Sequence, residues 1–240
     1  MKLFSGRRPA RPYCAALIAA AGSSRRMGED KLLLPLGGIP VLAHTLRAVD
    51  AASGVDEIVV AAREEDIPRF AELCKLWGIA KPVKLVAGGA TRTESVYRAA
   101  LEASPDAALL AVQDGARPFV TPELIDAVIE AARVHSAAAP AVPVKDTIRL
   151  AENGAASAKT LDRSALRAVQ TPQVFDAQLL RAALKSAFDA GVELTDDCSA
   201  VERIGKEIYL TDGSEENIKL TTPLDMTLAE AIWERRERSG

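Results

Sequence analysis

Histidine is nearly missing from this chain, with only His44 and His135 among 240 residues. Neither a His-based catalytic triad nor a His-rich metal site is therefore expected. Aromatics make up 4% of the sequence, too few for a base-stacking platform. There is no basic excess either: the formal net charge is -3, which argues against nucleic acid as a partner. The three cysteines, Cys14, Cys74 and Cys198, are odd in number and form no C-x-x-C pair. They read as buried thiols of a reducing compartment, and a cytoplasmic protein is expected. No run of 18 apolar residues occurs, so no membrane span or membrane partner is expected. Residues 1–12 carry Lys2, Arg7, Arg8 and Arg11 without the apolar segment of a secretory signal. They read as a disordered basic tail ahead of a single domain over 13–240.

What the chain does have is hydrophobic mass, 48% of residues, enough to bury a sizeable core. One stretch organises it, from Ala15 to Lys31. Ala15-Ala16-Leu17-Ile18-Ala19 is a short apolar run of the kind that forms a buried parallel strand. Gly22, Ser23 and Ser24 then let the backbone bend and leave its N–H groups free to face an anion. Arg25, Arg26 and Lys31 bring cations to the same place. A polyphosphate cradle fits this combination, and so does an ordinary strand-to-helix turn with solvated charges. The pattern is neither a Walker A loop nor a dinucleotide fingerprint.

Further along, strands and helices alternate. Strands are expected at Glu57–Ala62, Val83–Val86, Ala107–Val112, Ala137–Val144 and Glu207–Leu210. Helices are expected at Pro40–Ala51, Asp66–Trp77, Thr91–Ala103, Thr121–His135, Ala177–Ala190, Asp196–Ile204 and from Pro223 to about Arg236. Thr121-Pro122-Glu123 supplies cap, proline and acid in the order a helix start wants. The alternation points to an α/β fold of Rossmann-like type, a mostly parallel sheet with helices on both faces. Ligands in such sheets sit at the carboxyl ends of strands, where Gly22, Gly89 and Asp114 all fall. Between about 143 and 173 the pattern changes. Lys145–Leu150, the Glu152-Asn153-Gly154 turn and Lys159–Arg163 read as a hairpin arm that needs a cover, and a second subunit would provide one.

Several short signatures occur in order from Cys14 to the last helix: Ala20-Ala21-Gly22…Arg26-Met27-Gly28, Asp114-Gly115-Ala116-Arg117-Pro118, Pro143-Val144-Lys145-Asp146-Thr147, Asp162-Arg163-Ser164, Gln170-Thr171-Pro172-Gln173, Thr195-Asp196-Asp197 and Asn217–Pro223. As an ordered set they resemble the 2-C-methyl-D-erythritol 4-phosphate cytidylyltransferases of non-mevalonate isoprenoid synthesis. Two departures are a shorter Met27–Lys31 loop and Gln113 where the family often has His.

The resemblance implies a nucleotide-diphospho-sugar transferase type of fold and attack of a polyol phosphate on the α-phosphorus of CTP, with loss of pyrophosphate. It implies Arg26, Lys31 and Lys219 as the catalytic cations. Ala20, Ala21, Gly22, Gly89, Arg92, Ser95 and Asp114 would bind CTP, and Asp114 would also place Mg²⁺. Arg117, Thr147 and Arg163 would hold the phosphate of the second substrate. Thr147 and Arg163 would lie on an arm exchanged within a homodimer. Asp196 and Asp197 read as acids that favour a helix N-terminus, with no further role. Ribitol 5-phosphate is an alternative second substrate, and a nucleotide-binding regulatory protein that has lost catalysis is another alternative.

Overall fold

The computed structural model describes residues 11–22, 30–151, 159–192 and 194–239. Strand β1 (Cys14–Ala20) is followed by a small ribbon of β2 (Pro35–Leu36) and β3 (Ile39–Pro40), then α1 (Val41–Ala51), β4 (Glu57–Ala62), α2 (Ile67–Leu76), β5 (Val83–Ala87), α3 (Arg92–Glu102) and β6 (Leu109–Asp114). The second half runs α4 (Pro122–His135), β7 (Ala137–Pro143), β8 (Arg149–Leu150), β9 (Lys159–Thr160), β10 (Arg167–Val169), β11 (Gln173–Asp176), α5 (Ala177–Asp189), α6 (Asp197–Arg203), β12 (Tyr209–Asp212) and α7 (Pro223–Ser239). The alternation read from sequence is therefore present, with ends shifted by at most three residues.

The main sheet has the order β10-β7-β11-β6-β1-β4-β5, with β12 also paired to β7. Strands β6, β1, β4 and β5 are mutually parallel. β11 is antiparallel to both neighbours and sits in the sheet interior between β6 and β7, so the sheet is mixed. Sequence reasoning assigned no strand there. Four residues after a Thr-Pro step are too few to show a period.

Side chains alternate across the pleat as a period of two requires. On β1, Cys14, Ala16, Ile18 and Ala20 face the layer of α1, α2, α4 and α7. Ala15 and Leu17 face α3, α5 and α6. On β6 the odd residues Leu109 and Ala111 face the first layer, and Leu110 and Val112 the second. The same alternation carries Asp114 to the side of α3 and α6. Connections from β1 to β4 and β5 run one way along the sheet, and β6 lies on the other side of β1. That reversal between β1 and β6 is the switch point at which such sheets open a crevice.

The ends of this crevice are locally determined. Thr91 caps α3 by accepting from Glu94 N at 3.1 Å, while Glu94 Oε2 accepts from Ala90 N at 2.7 Å, a reciprocal cap that fixes the turn after β5. Gly88 in that turn passes against β1, where a Cβ would lie 2.5 Å from the Cβ of Ala21; only glycine allows that approach. Asp30 and Lys31 re-enter the described chain pinned by Arg63, whose Nη2 is 2.7 Å from Asp30 Oδ2. The sequence-assigned tail ends in a fixed contact: Arg11 forks onto Asp56 at 2.8 and 2.7 Å. Residues 1–10 lie outside the described chain.

All three cysteines are buried free thiols. Burial pushes Cys14 up to about 12 and raises Cys74 and Cys198 as well. A thiol-reactive disulfide reagent at pH 8 should therefore leave the native protein unlabelled and titrate three thiols in denaturant. Rapid labelling of the native protein would contradict this packing.

Candidate active site

A cavity of about 370 Å³ opens over the carboxyl ends of β1, β5 and β6, within the range of small-ligand sites. Its walls include Ala20, Ala21, Gly22, Lys31, Gly89, Arg92, Ser95, Asp114 and Lys219. Nine of the residues expected from sequence are thus brought together from five separate stretches. Ala19, Leu32, Ala90, Thr91 and Ala116 also line the cavity and were not singled out, although each adjoins a residue that was. Ser95 Oγ donates to Thr91 O at 2.8 Å and accepts from Gly89 N at 3.0 Å, which holds the first turn of α3 against the glycine turn.

The charged centre is Asp114. Its Oδ2 lies 2.9 Å from Lys219 Nζ and 3.4 Å from Arg117 Nε, and its Oδ1 lies 3.5 Å from Arg92 Nη2. Burial pushes this carboxyl upward, but Arg92, Lys219 and Arg117 together outweigh it and hold it at about 2. Lys219 arrives from the loop before α7, whose start is fixed by Asp225. One oxygen of Asp225 accepts from Thr221 N, Thr221 Oγ1 and Thr222 N at 2.7, 2.8 and 2.8 Å.

Arg92 is shared. Its Nη2 is 2.7 Å from Asp197 Oδ2, and Asp197 is 1% exposed. Burial works against the charge of Arg92, yet Asp197 and Asp114 outweigh it and hold the guanidinium above its ordinary value. Burial raises Asp197, with Arg92 opposing. The expectation that Asp197 only charges a helix end is therefore corrected. Asp196 does the capping, accepting from Ser199 N at 3.0 Å, and Asp197 turns inward to Arg92. The doubled acid after Thr195 was the available signal, but its partner is 105 positions away in sequence.

The remaining expected residues are placed differently. Arg117 does not line the cavity; it lies behind Asp114, 8% exposed, and donates from Nη1 to Asn217 O at 2.5 Å. Thr147 and Arg163 are exposed on the arm, where Arg163 donates to Lys145 O at 2.9 Å, and neither lines the cavity of its own chain. Arg26 lies outside the described residues, as do Arg25 and Met27. The arm itself is present as the short β8–β9 pairing of Arg149 with Thr160 and Leu150 with Lys159. Its Glu152-Asn153-Gly154 turn lies outside the described residues.

Among the described residues no three His, Cys, Asp or Glu side chains cluster as a metal cage. Asp114 nevertheless fits Mg²⁺, which is normally held by one or two carboxylates and otherwise by substrate phosphates and water. Its carboxylate is ionised across the physiological range and faces the cavity.

The depressed pKa has a consequence for stability. Asp114 titrates at about 2 in the fold against 3.8 ordinarily, so its contribution is fully present above about pH 4. It is lost as pH falls from there through 2, and amounts to about 2 kcal/mol. In metal-free buffer, unfolding free energy should fall over that window, and Asp114→Asn should flatten the fall. An unchanged slope in the variant would contradict the charge placement.

The comparisons with known proteins point to one family. The family model described as 2-C-methyl-D-erythritol 4-phosphate cytidylyltransferase matches residues 14–235. A protein of that name from Bacillus thuringiensis is 44% identical over 218 residues, 90% of this chain and 96% of its own. One from Pelotomaculum thermopropionicum is 43% identical over 227 residues, 93% of this chain and 95% of its own. Among solved structures, 4-diphosphocytidyl-2C-methyl-D-erythritol synthase from Anaerococcus prevotii superposes with a TM-score of 0.85 at 29% identity, covering 93% of this chain and 96% of its own. The cytidylyltransferase from Thermus thermophilus gives 0.75 at 36% identity, covering 92% and 99%.

Proposed function

The chain belongs to the 2-C-methyl-D-erythritol 4-phosphate cytidylyltransferase family, and from that premise we infer how its cavity joins the two substrates. The enzyme transfers a cytidylyl group from CTP to 2-C-methyl-D-erythritol 4-phosphate, giving 4-diphosphocytidyl-2-C-methyl-D-erythritol and pyrophosphate in isoprenoid precursor synthesis. The observation that carries the site assignment is the set of cations converging on Asp114 at the mouth of the β1–β6 crevice.

The phosphate of the second substrate is already a nucleophile at neutral pH, so the reaction needs no strong base. What it needs is alignment of two anions and relief of charge building on the α-phosphoryl oxygens and the departing pyrophosphate. Lys219 and Lys31, from separate stretches of the chain in the cavity wall, supply that relief, and Arg26 adds to it by family resemblance. The Ala20-Ala21-Gly22 bend and the Gly89–Ser95 turn hold the cytidine. Arg92 holds the wall of the nucleotide site from α3. Mg²⁺, held by Asp114 and the CTP phosphates, would supply further neutralisation of the triphosphate. Arg117 keeps Asp114 ionised and oriented from behind it.

A homodimer fits the arm. Thr147 and Arg163 are exposed away from their own cavity, and the apolar Ile148, Leu150 and Val169 on the same arm are 37%, 42% and 38% exposed. A partner's cavity, met by this arm, would gain both phosphate contacts and cover that surface. Among the described residues no helix is long and apolar enough to cross a membrane; together with three buried thiols this favours a cytoplasmic site of action.

The test is pyrophosphate release from CTP and Mg²⁺ with 2-C-methyl-D-erythritol 4-phosphate and with ribitol 5-phosphate in parallel. Release with the branched tetritol phosphate alone is the expected result. Release with ribitol 5-phosphate alone would keep the chemistry and overturn the substrate. No release with either, from folded protein that binds CTP, would leave a nucleotide-binding protein without catalysis.

A further inference from the structure

The sequence signature Gln170-Thr171-Pro172-Gln173 has no role in the site as described so far, and its side chains are 7%, 3% and 2% exposed at Gln170, Thr171 and Gln173. Buried amides at such density need partners, and here, apart from Gln170 O, which Gln173 Nε2 meets at 3.5 Å, every side-chain partner belongs to a segment that carries a site residue. Gln170 faces the loop that leads to Lys219. It donates from Nε2 to Ser214 O at 2.7 Å, and its Oε1 accepts from Ser214 N at 3.2 Å and from Asn217 Nδ2 at 3.3 Å. Asn217 Nδ2 also donates to Thr171 O at 3.0 Å. Thr171 Oγ1 accepts from the backbone N of Asp114 at 3.1 Å. Gln173 faces the other way, toward the helix that carries Asp197. Its Oε1 accepts from the backbone N–H groups of Asp197 and Cys198, each at 3.0 Å, and its Nε2 donates to Asp196 Oδ2 at 2.9 Å.

We propose that this turn is the positioning element of the site: Gln170 sets Lys219 and Gln173 sets Arg92, through Asp197, on either side of Asp114. Neither glutamine touches substrate. Each fixes the backbone from which a charged group reaches the cavity, and Thr171 fixes the backbone of Asp114 between them. Three separate segments, the end of β6, the 213–219 loop and the start of α6, are thereby referred to one rigid turn. The turn is also the return limb of the arm, because β10 leads directly into it, so the arm that a second subunit would meet is continuous with the element that holds the cations. The inference rests on the assignment of Lys219 and Arg92 to catalysis and nucleotide binding.

The experiment is a double-mutant cycle on kcat with Gln170→Met and Lys219→Met, each variant checked for folding by its thermal transition and assayed below it. Gln170→Met should lower kcat 10- to 100-fold with KM for CTP within about threefold, and should have no further effect in the Lys219→Met background. Gln173→Met should instead raise KM for CTP and keep its effect in that background, because it acts through Arg92. Gln170→Glu retains the acceptor for Ser214 N and Asn217 Nδ2 and should recover part of the loss, and it replaces the Met variant in the cycle if that variant does not fold. A purely structural glutamine would lower the thermal midpoint and leave kcat of the folded enzyme unchanged, which would overturn the proposal. An equal fold-loss from Gln170→Met with and without Lys219 would overturn it too. Full kcat in Lys219→Met would instead sink the catalytic assignment on which it stands.

Discussion

Replacing Lys219 with Met should lower kcat by about 10²–10³ while the protein stays folded. The side chain is more than a third exposed toward the cavity, 38%, so its removal costs little packing. What goes is a fixed cation where charge accumulates on the triphosphate, and one preorganised donor of this kind is worth about 3–4 kcal/mol of barrier in a water-poor site. Lys219→Arg should recover part of the rate, since a guanidinium supplies the charge in a different shape. Steady-state kinetics at saturating CTP would check this. A Lys219→Met enzyme within fivefold of the parent would show that the cation near Asp114 is a structural partner only.

Arg92→Met should produce the largest loss of stability among the site variants, about 3–5 kcal/mol, because it leaves Asp197 buried with no opposite charge. Only 1% of the Asp197 surface reaches solvent, so water cannot replace the guanidinium. The remedy available to the chain is to bind a proton, toward which burial already pushes Asp197. The deficit should therefore shrink as pH falls, and Arg92→Met with Asp197→Asn should be closer to the parent than Arg92→Met alone. Urea unfolding of the parent, the single and the double variant at pH 5 and pH 8 reads both effects. If the single variant loses under about 1 kcal/mol at pH 8, the 2.7 Å pair does not hold α3 to α6.

The sequence carried more of the nucleotide site than of its supports. Gly22, Gly89 and Asp114 follow strands whose apolar runs are long enough to read, and strand ends in a parallel sheet are where ligands collect. Thr91 and Thr121 announced their helices because a capping oxygen is a local device. By contrast, the antiparallel β11 spans four residues, and nothing local distinguishes it from a loop. The inward turn of Asp197 was equally hidden. An acid at a helix start is favourable whichever way it points, so its pairing with Arg92 follows only once α3 and α6 share a face of the sheet. Arg117 gave a similar difficulty: the family resemblance implied a contact to the second substrate's phosphate, and the fold spends much of its guanidinium on Asp114 and on Asn217 O.

Among the described residues of the cavity wall the Thr91 and Ser95 hydroxyls are committed to the α3 turn, and the charge placed around Asp114 suits a single in-line displacement at the α-phosphorus. The most direct measurement is the stereochemical course of transfer from a CTP analogue made chiral at that phosphorus by sulfur substitution. Inversion of configuration in the diphosphocytidyl product is the predicted result. Retention would mean two displacements through a cytidylylated enzyme, and would contradict catalysis by positioned cations alone.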